Sequence, residues 1–312
     1  MTWLVTGASG YIGQHLILRL LQENFDVLGL DIAPLPVISP LIGKFEMRMG
    51  DIRDPIFLGN LLKEREFHGV VNLAALKSVE ESVKHPERYL QTNLVGVENL
   101  IKATSDNGVR CFIQSSTAAV YGAPKNGIVY ESDITKPISP YGTSKLLAEN
   151  ALLKASDENL ITAISLRYFN VVGSAHPELR DQSVANLVPK VIQSIKLKQP
   201  PRIYGDDYQT KDGTCIRDYV HVLDIAEAHI KAIRALLSKK LPPVLNIGTG
   251  FGYSVREVIA EVKNQCGSNI EPVIEARRMG DPASLVANVE LSENLIGFKA
   301  KYGLSEMIES SL

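Results

Sequence analysis

Tyr141 and Lys145 stand four residues apart in the run Tyr141-Gly142-Thr143-Ser144-Lys145. On a helix that spacing puts both side chains on one face, about 6 Å apart along the axis. A tyrosine hydroxyl titrates near ~10 and is a poor base at neutral pH. A neighbouring ammonium favours its phenolate. Bringing the phenol to neutrality takes ~3 pKa units, or about 4 kcal/mol of differential stabilisation. Alone, such a pair is more often a solvated helix face. A second signature lies at the other end of the same half, Thr6-Gly7-Ala8-Ser9-Gly10-Tyr11-Ile12-Gly13. It follows the apolar run Trp3-Leu4-Val5 and opens a helical pattern from Tyr11 to Leu21. Strand, glycine turn and helix are the context of a dinucleotide-binding turn. Gly7 permits the tight turn, Gly10 lets backbone approach a pyrophosphate, and Gly13 lets helix and strand pack closely. The helix N-terminus then offers N–H groups and a positive dipole end to phosphates. The Gly-x-x-Gly-x-x-Gly spacing is longer by a residue at its first gap than the common dehydrogenase form. A second apolar run ends in Asp31, where a carboxylate can accept both ribose hydroxyls of NAD and repel the 2′-phosphate of NADP. NAD is therefore the expected cofactor, and its oxidised nicotinamide is a second positive charge favouring the phenolate.

The elements that must position these groups follow from hydrophobic patterning. Apolar runs at about 3–6, 26–30, 45–49, 69–73, 110–115 and 161–166 alternate with helical patterns at about 11–24, 55–66, 87–106 and 141–156. That alternation predicts an α/β fold, a Rossmann-type doubly wound parallel sheet covered on both faces. Ligands of such sheets lie beyond the carboxyl ends of the strands. The rule gathers Leu73-Ala74-Ala75, Ser115-Ser116-Thr117, the Tyr141 helix and Arg167-Tyr168-Phe169-Asn170. Ala74 and Ala75 suit either a flat ring lying on the backbone or ordinary close packing. Thr117 offers a hydroxyl beside Tyr141, although Ser115, Ser116 and Thr117 also suit turn or capping roles. After Phe169 the alternation breaks, and Pro177, Pro189, Pro200 and Pro201 frame a helix at about 185–197. A strand at about 215–220, a helix at 222–238, a strand at 244–247 and a helix at 254–265 follow. Residues 1–170 are expected to form an NAD-binding domain, to which 214–250 partly returns. Residues 171–312 are expected to form a smaller interleaved C-terminal α/β substrate region.

With 312 residues, 45% of them hydrophobic, the chain can bury roughly three quarters of its unfolded surface. A net charge of −2 without a basic run argues against a nucleic-acid partner. Cys111, Cys215 and Cys266 have neither metal-ligand nor disulfide-framework spacing, so no metal is expected and a reducing compartment is. No cleavage signal precedes the first strand, and no apolar run reaches membrane-spanning length. A cytoplasmic protein without a membrane partner is the expectation.

Further motifs accompany the two signatures: Gly50-Asp51-Ile52-Arg53, Leu76-Lys77-Ser78-Val79-Glu80-Glu81-Ser82, Val120-Tyr121-Gly122 and Leu166-Arg167-Tyr168-Phe169-Asn170. The most diagnostic is Tyr204-Gly205-Asp206-Asp207-Tyr208 leading to Asp212-Gly213-Thr214-Cys215-Ile216-Arg217-Asp218-Tyr219-Val220-His221-Val222. Over about residues 2–290 the chain resembles the extended short-chain dehydrogenase/reductase superfamily and, within it, the UDP-glucose (UDP-galactose) 4-epimerase family. The resemblance implies that Tyr141 is the base, Lys145 its electrostatic partner and Thr117 the hydroxyl bridging to the sugar O4. It implies NAD contacts from Tyr11, Ile12, Asp31, Asp51, Ile52, Leu73, Ala74, Ala75, Lys77 and Asn93, joined by Ser115, Ser116, Lys145 and Tyr168. Asn170, Asn186, Leu187, Tyr204, Arg217, Arg278 and Asp281 would hold a UDP-sugar. Arg217 and Arg278 suit a diphosphate through charge-assisted hydrogen bonds, and Tyr204 suits stacking on uracil.

The implied reaction is reversible 4-epimerisation of a UDP-hexose through a transient 4-keto sugar that turns over while tethered by its UDP. NAD stores the hydride and stays bound, because its net change is zero. A sugar-nucleotide 4,6-dehydratase would need Asp-Glu directly after the threonine, where this chain has Ala118-Ala119. A related nucleotide sugar remains open: an N-acetylated one because Leu285 is mid-sized at the position associated with admitting such sugars, a uronic one because carboxylate recognition is hard to read from sequence. A non-catalytic NAD-sensing regulator should lack the tyrosine or the lysine, and both are present. A homodimer is implied through the helices at about 87–106 and 141–156, although core packing also explains the apolar residues of the second.

Overall fold

The computed structural model describes residues 1–124, 126–183, 186–278 and 280–312. In chain order the elements begin β1 (Thr2–Thr6), α1 (Tyr11–Gln22), β2 (Asp26–Asp31), β3 (Glu46–Met49), α2 (Pro55–Leu61) and β4 (Gly69–Asn72). Three short helices follow, α3 (Val79–Lys84), α4 (Pro86–Leu90) and α5 (Gly96–Asp106). Next come β5 (Cys111–Thr117), β6 (Ile128–Val129), α6 (Pro140–Asp157), β7 (Thr162–Tyr168) and β8 (Asn170–Val172). The remainder contains α7 (Leu187–Lys196), β9 (Arg202–Tyr204), β10 (Ile216–His221), α8 (Val222–Leu236) and β11 (Val244–Ile247). It ends with β12 (Gly252–Ser254), α9 (Val255–Gln265), β13 (Val273–Glu275), β14 (Ser284–Ala287), α10 (Glu290–Ile296) and α11 (Leu304–Ser311).

Seven strands form one sheet in the order β11-β7-β5-β4-β1-β2-β3, and every pairing in it is parallel. The doubly wound α/β fold read from the sequence is the one observed. Parallel strands covered on both faces read as continuous apolar runs, and their side chains alternate between faces. Trp3 and Val5 join Leu16, Ile17, Ile225 and Ile233 in one core, while Leu4 joins Val70, Phe112, Leu100 and Leu152 in the other. The chain winds outward from β1 to β3 and then returns to β4 beside β1. That reversal opens a crevice at the carboxyl ends of β1 and β4. The smaller sheet runs β12-β10-β14-β6, with β8 also paired to β10. Segments cross in both directions, since β6 from the first half enters the smaller sheet and β11 from the second half pairs with β7. Among the described residues no helix is long and apolar enough to cross a membrane.

The helix expected at about 87–106 departs from the reading. Pro86 starts α4, a π-helical turn at Gln91–Val95 follows, and α5 completes the segment. The expected helix at 185–197 is observed as α7, and residue 185 lies outside the described residues. Short strands such as β6, β8 and β12 had no readable period, because two or three residues cannot display one.

Three buried histidines make stability depend on pH. Burial lowers His15, His221 and His229 to about 4 each, and for His221 the nearby His15 adds to the effect. All three are neutral in the fold, whereas the unfolded chain protonates them near ~6.5. Their contribution is present above that value and is lost as pH falls toward 4. Asp218 and Asp224 act oppositely, because burial raises both to about 6 against the pull of backbone N–H donors. Their contribution is present below the ordinary carboxylate value and is lost as pH rises through about 6. Glu131, also raised by burial, sides with the aspartates, but the histidine losses begin near ~6.5 and the carboxyl gains only near about 6, so the melting temperature is expected to fall as pH drops from 7 toward 5. Thermal melts across that range check it, and a rising Tm would refute the balance.

Candidate active site

The glycine turn between β1 and α1 forms one wall of the crevice. Gly7 has φ +69°, a backbone region that disfavours side chains, and a Cβ there would lie 2.7 Å from Ala74 N. A Cβ on Gly13 would lie 2.1 Å from the Gly7 carbonyl oxygen. A Cβ on Gly10 would meet only Gly7 O, at 3.2 Å, so the outer side of the turn is open. No side chain caps α1 and no acid stands in its first turn, which leaves this helix end suited to phosphate. Asp31 Oδ2 accepts from Ser9 N at 3.0 Å and Oδ1 from Ala33 N at 3.1 Å, fixing the carboxylate at the end of β2. This cradle and acid fit a bound NAD.

The other expected cofactor residues divide. Leu73 and Ala74 follow β4, and their N–H groups donate to Thr6 O (3.1 Å) and Thr6 Oγ1 (3.3 Å). Ala75 continues that loop, half-buried, and Ile12 packs against the core from α1. Ile52 is buried against Gly96, and the Asp51 carboxylate is gripped by Arg53 Nε at 2.9 Å. Lys77 Nζ lies 3.8 Å from Asp181 and 6.0 Å from the centre of the Tyr11 ring, whose hydroxyl donates to Gly173 O. Asn93 is bonded within the chain. It is buried in the π-helical turn, accepts from Leu76 N at 2.8 Å, and donates to Leu76 O and Ser144 Oγ at 3.0 Å each. Its polar atoms tie the loop after β4 to α6.

α6 begins with Pro140 at its first position and Ser139 as cap, the latter's hydroxyl accepting from Gly142 N at 3.1 Å. That start aims Tyr141 at the end of β5, where the Thr117 hydroxyl stands beside its phenol. Tyr89 packs edge-on at 6.4 Å between ring centres. Burial pushes the Tyr141 phenol above its ordinary value, and Thr117 pulls it back. Lys145 is 4% exposed and donates to Ser115 O at 2.8 Å and Ser115 Oγ at 3.2 Å. Burial lowers its ammonium to about 8, against the opposing charge of Glu149. Lys145 was expected to bring the phenol down. In the protein alone burial prevails, since the ammonium is turned to the β5 backbone. Tyr168, also buried, bonds His229 Nε2 through its hydroxyl at 2.7 Å.

On the substrate side, Arg217 Nη1 donates to Ile216 O and Pro282 O at 2.8 Å each, and Nη2 reaches Asp281 Oδ1 at 3.1 Å. Arg278 lies over the Tyr204 ring at 3.9 Å. Asn186 Nδ2 donates to Asp181 Oδ2 at 2.5 Å, and Leu187 opens α7. Asn170 is exposed at the start of β8, beside the β7 end that carries Tyr168. Leu285 is buried with Ala118, Val120 and Phe169, directly behind the Thr117 turn.

Sequence reading missed three groups. Asp181 links Lys77 to Asn186. Glu149 and Arg167 form an ion pair at 2.7 Å, each side chain 5% exposed. Asn72 joins Thr6 to Gln114, whose Nε2 donates to Ser115 O at 2.9 Å, the carbonyl that also holds Lys145. Glu149 was within reach of the sequence, since an acid four residues beyond a buried lysine shares its helix face. Among the described residues no group of three His, Cys, Asp or Glu is placed to hold a metal ion.

A dinucleotide cradle at the switch point, with a tyrosine and a buried lysine on the neighbouring helix, defines an NAD-dependent enzyme of the short-chain dehydrogenase type. The chain belongs to the NAD dependent epimerase/dehydratase family, whose sequence profile matches residues 3–248. It is 40% identical to the UDP-glucose 4-epimerase of Halalkalibacterium halodurans, across 99% of this chain and 94% of that one. It superposes with TM-score 0.94 and 35% identity on the UDP-glucose 4-epimerase of Stenotrophomonas maltophila, solved with NAD and a formylated UDP-arabinopyranose, covering 100% of this chain and 96% of that one. The Bifidobacterium longum UDP-glucose 4-epimerase, solved with NAD+ and UDP, matches with TM-score 0.91 and 35% identity over 100% and 97% of the two chains.

Proposed function

We infer that this chain interconverts the C4 epimers of a UDP-hexose, UDP-glucose and UDP-galactose, with NAD as its cofactor. The observation that carries the reading is Tyr141, half-buried beside Thr117 and one helical turn before the buried Lys145, at the strand ends next to the glycine cradle. When bound, NAD accepts and returns the C4 hydride, and its cationic ring favours the Tyr141 phenolate. Tyr141 takes the proton of the sugar 4-hydroxyl and later restores it. Thr117, beside that phenol, orients the 4-hydroxyl. Lys145, protonated below about 8, holds positive charge beneath the site. Gly7, Gly10, Tyr11, Ile12, Gly13 and Asp31 line the cofactor, with Asp31 on the ribose. Arg217 and Arg278 neutralise the diphosphate, and Tyr204, already covered by Arg278 on one face, offers its ring to uracil. Asp281 balances Arg217. Firm UDP contacts and few hexose contacts suit a ketone that must turn over.

The working division is a cofactor unit of 1–170 that includes β11, and a substrate region of 171–312 that borrows β6. Leu147 and Leu153 on α6 remain 37% and 39% exposed, which supports a homodimer through that helix. Three free cysteines fit a cytoplasmic setting.

The test is to purify the protein, assay bound NAD, and incubate it with UDP-galactose, UDP-glucose, UDP-N-acetylglucosamine and UDP-glucuronate. Inversion at C4 of UDP-galactose without added cofactor is expected. Retained NAD with no stereochemical change in any of the four would overturn the reading. Inversion confined to the N-acetylated or uronic sugar would establish the related activity instead.

A further inference from the structure

α6 carries a buried charge that the reaction above does not use. Glu149 lies one helical turn beyond Lys145 and is the only buried acid of that helix. Its Oε1 accepts from the Ser116 hydroxyl and from Arg167 Nε at 3.0 Å, and its Oε2 from Arg167 Nη2 at 2.7 Å. Arg167 Nη1 continues to the Tyr121 hydroxyl at 2.9 Å. Ser116 stands between Ser115, whose carbonyl holds Lys145, and Thr117, whose hydroxyl stands beside Tyr141. One carboxylate therefore grips the strand end from which both groups of the Tyr141–Lys145 pair are held.

A buried ammonium whose bonded partners are a carbonyl and a hydroxyl is costly unless an anion lies near. Resting on the function proposed above, we propose that Glu149 is a positioning residue: it is the buried counter-charge of Lys145 and the anchor of Ser116. Arg167 keeps the carboxylate fixed and shares its charge, so Lys145, Glu149 and Arg167 together leave positive charge under the phenol. Lys145 has Tyr141 one turn before it and Glu149 one turn after it on α6 and donates to Ser115 on β5, with Arg167 on β7 bonded to Glu149. Those facing Tyr141 are Tyr89 on α4, bonded to Glu81 of α3, and Tyr168 on β7, bonded to His229 of α8.

The test replaces the charge and keeps the shape, with Glu149→Gln. Lys145 is titrated directly by NMR in protein labelled with 13C at the lysine ε-carbon, its signal assigned against Lys145→Met. Its midpoint is expected to fall by about one pH unit. The alkaline limb of kcat is expected to move down by the same amount, with KM for the UDP-sugar little changed, and Glu149→Asp should recover part of both shifts. If the unpaired Arg167 prevents Glu149→Gln from folding, the double variant Glu149→Gln, Arg167→Gln removes both charges. Its Lys145 midpoint should still fall, by less, because Glu149 stands one turn from Lys145 on the same helix whereas Arg167 lies beyond it, bonded to the carboxylate. A Lys145 midpoint equal to that of the wild type, in whichever variant folds, would overturn the proposal. The NMR titration does not depend on turnover, so an inactive wild type would strike the proposed reaction and leave this result readable.

Discussion

Tyr141→Phe is expected to lower kcat by about 10³-fold or more while the protein keeps its NAD. The substitution deletes one oxygen. The ring stays, with its edge contact to Tyr89 at 6.4 Å, and so does the start of α6 set by Ser139 and Pro140. The loss is confined to the group that moves the 4-hydroxyl proton. Lys145 cannot replace it, because its ammonium donates to Ser115 and points its charge along the strand end. Thr117 cannot either, since an aliphatic hydroxyl is a far weaker acid than the phenol beside it. The check is single-turnover and steady-state rates alongside bound NAD and Tm. Turnover by Tyr141→Phe within tenfold of wild type would remove this residue from its role, whatever the cofactor content.

Gly13→Ala is expected to give a folded protein that has lost its NAD. The added methyl would lie 2.1 Å from the Gly7 carbonyl oxygen and 3.0 Å from the Gly7 carbonyl carbon. Both are backbone atoms, so relief requires the turn itself to move. Gly7 cannot follow easily, because its own neighbours are the backbone of Leu73 and Ala74. Crowding of this kind costs about 1–3 kcal/mol. The consequence for binding is greater, since the turn must present its open side and the α1 N-terminus to a pyrophosphate. Cofactor content after purification and NAD titration read the effect. Gly10→Ala is the informative control. A Cβ there meets only Gly7 O at 3.2 Å, so the apo fold should be less disturbed while the methyl enters the cofactor side. Undiminished NAD in Gly13→Ala would show that the turn relaxes in a way the close contact does not allow for.

The sheet was legible because its strands are buried on both faces. Runs such as Trp3-Leu4-Val5 and Val70-Val71 must be apolar throughout, and glycine at 7, 10 and 13 records where backbone approaches backbone. The same holds for Tyr141 and Lys145, since four residues of helix fix their shared face. Asn93 and Asp51 were harder, because a polar residue in a motif looks the same whether it faces a ligand or the chain. Only the fold showed that Asn93 spends its amide on Leu76 and Ser144, and that Asp51 is gripped by Arg53.

By itself the sequence determined the α/β winding, the dinucleotide turn and the shared helix face of Tyr141 and Lys145, because each is set by local spacing and by which residues must avoid water. The tertiary structure decided the direction of the charges. It turned Lys145 to Ser115, gave it Glu149 as the neighbouring anion and raised the Tyr141 phenol by burial. Those outcomes depend on dielectric surroundings and on partners up to 33 residues apart, such as Ser116 and Glu149, and no local pattern encodes them.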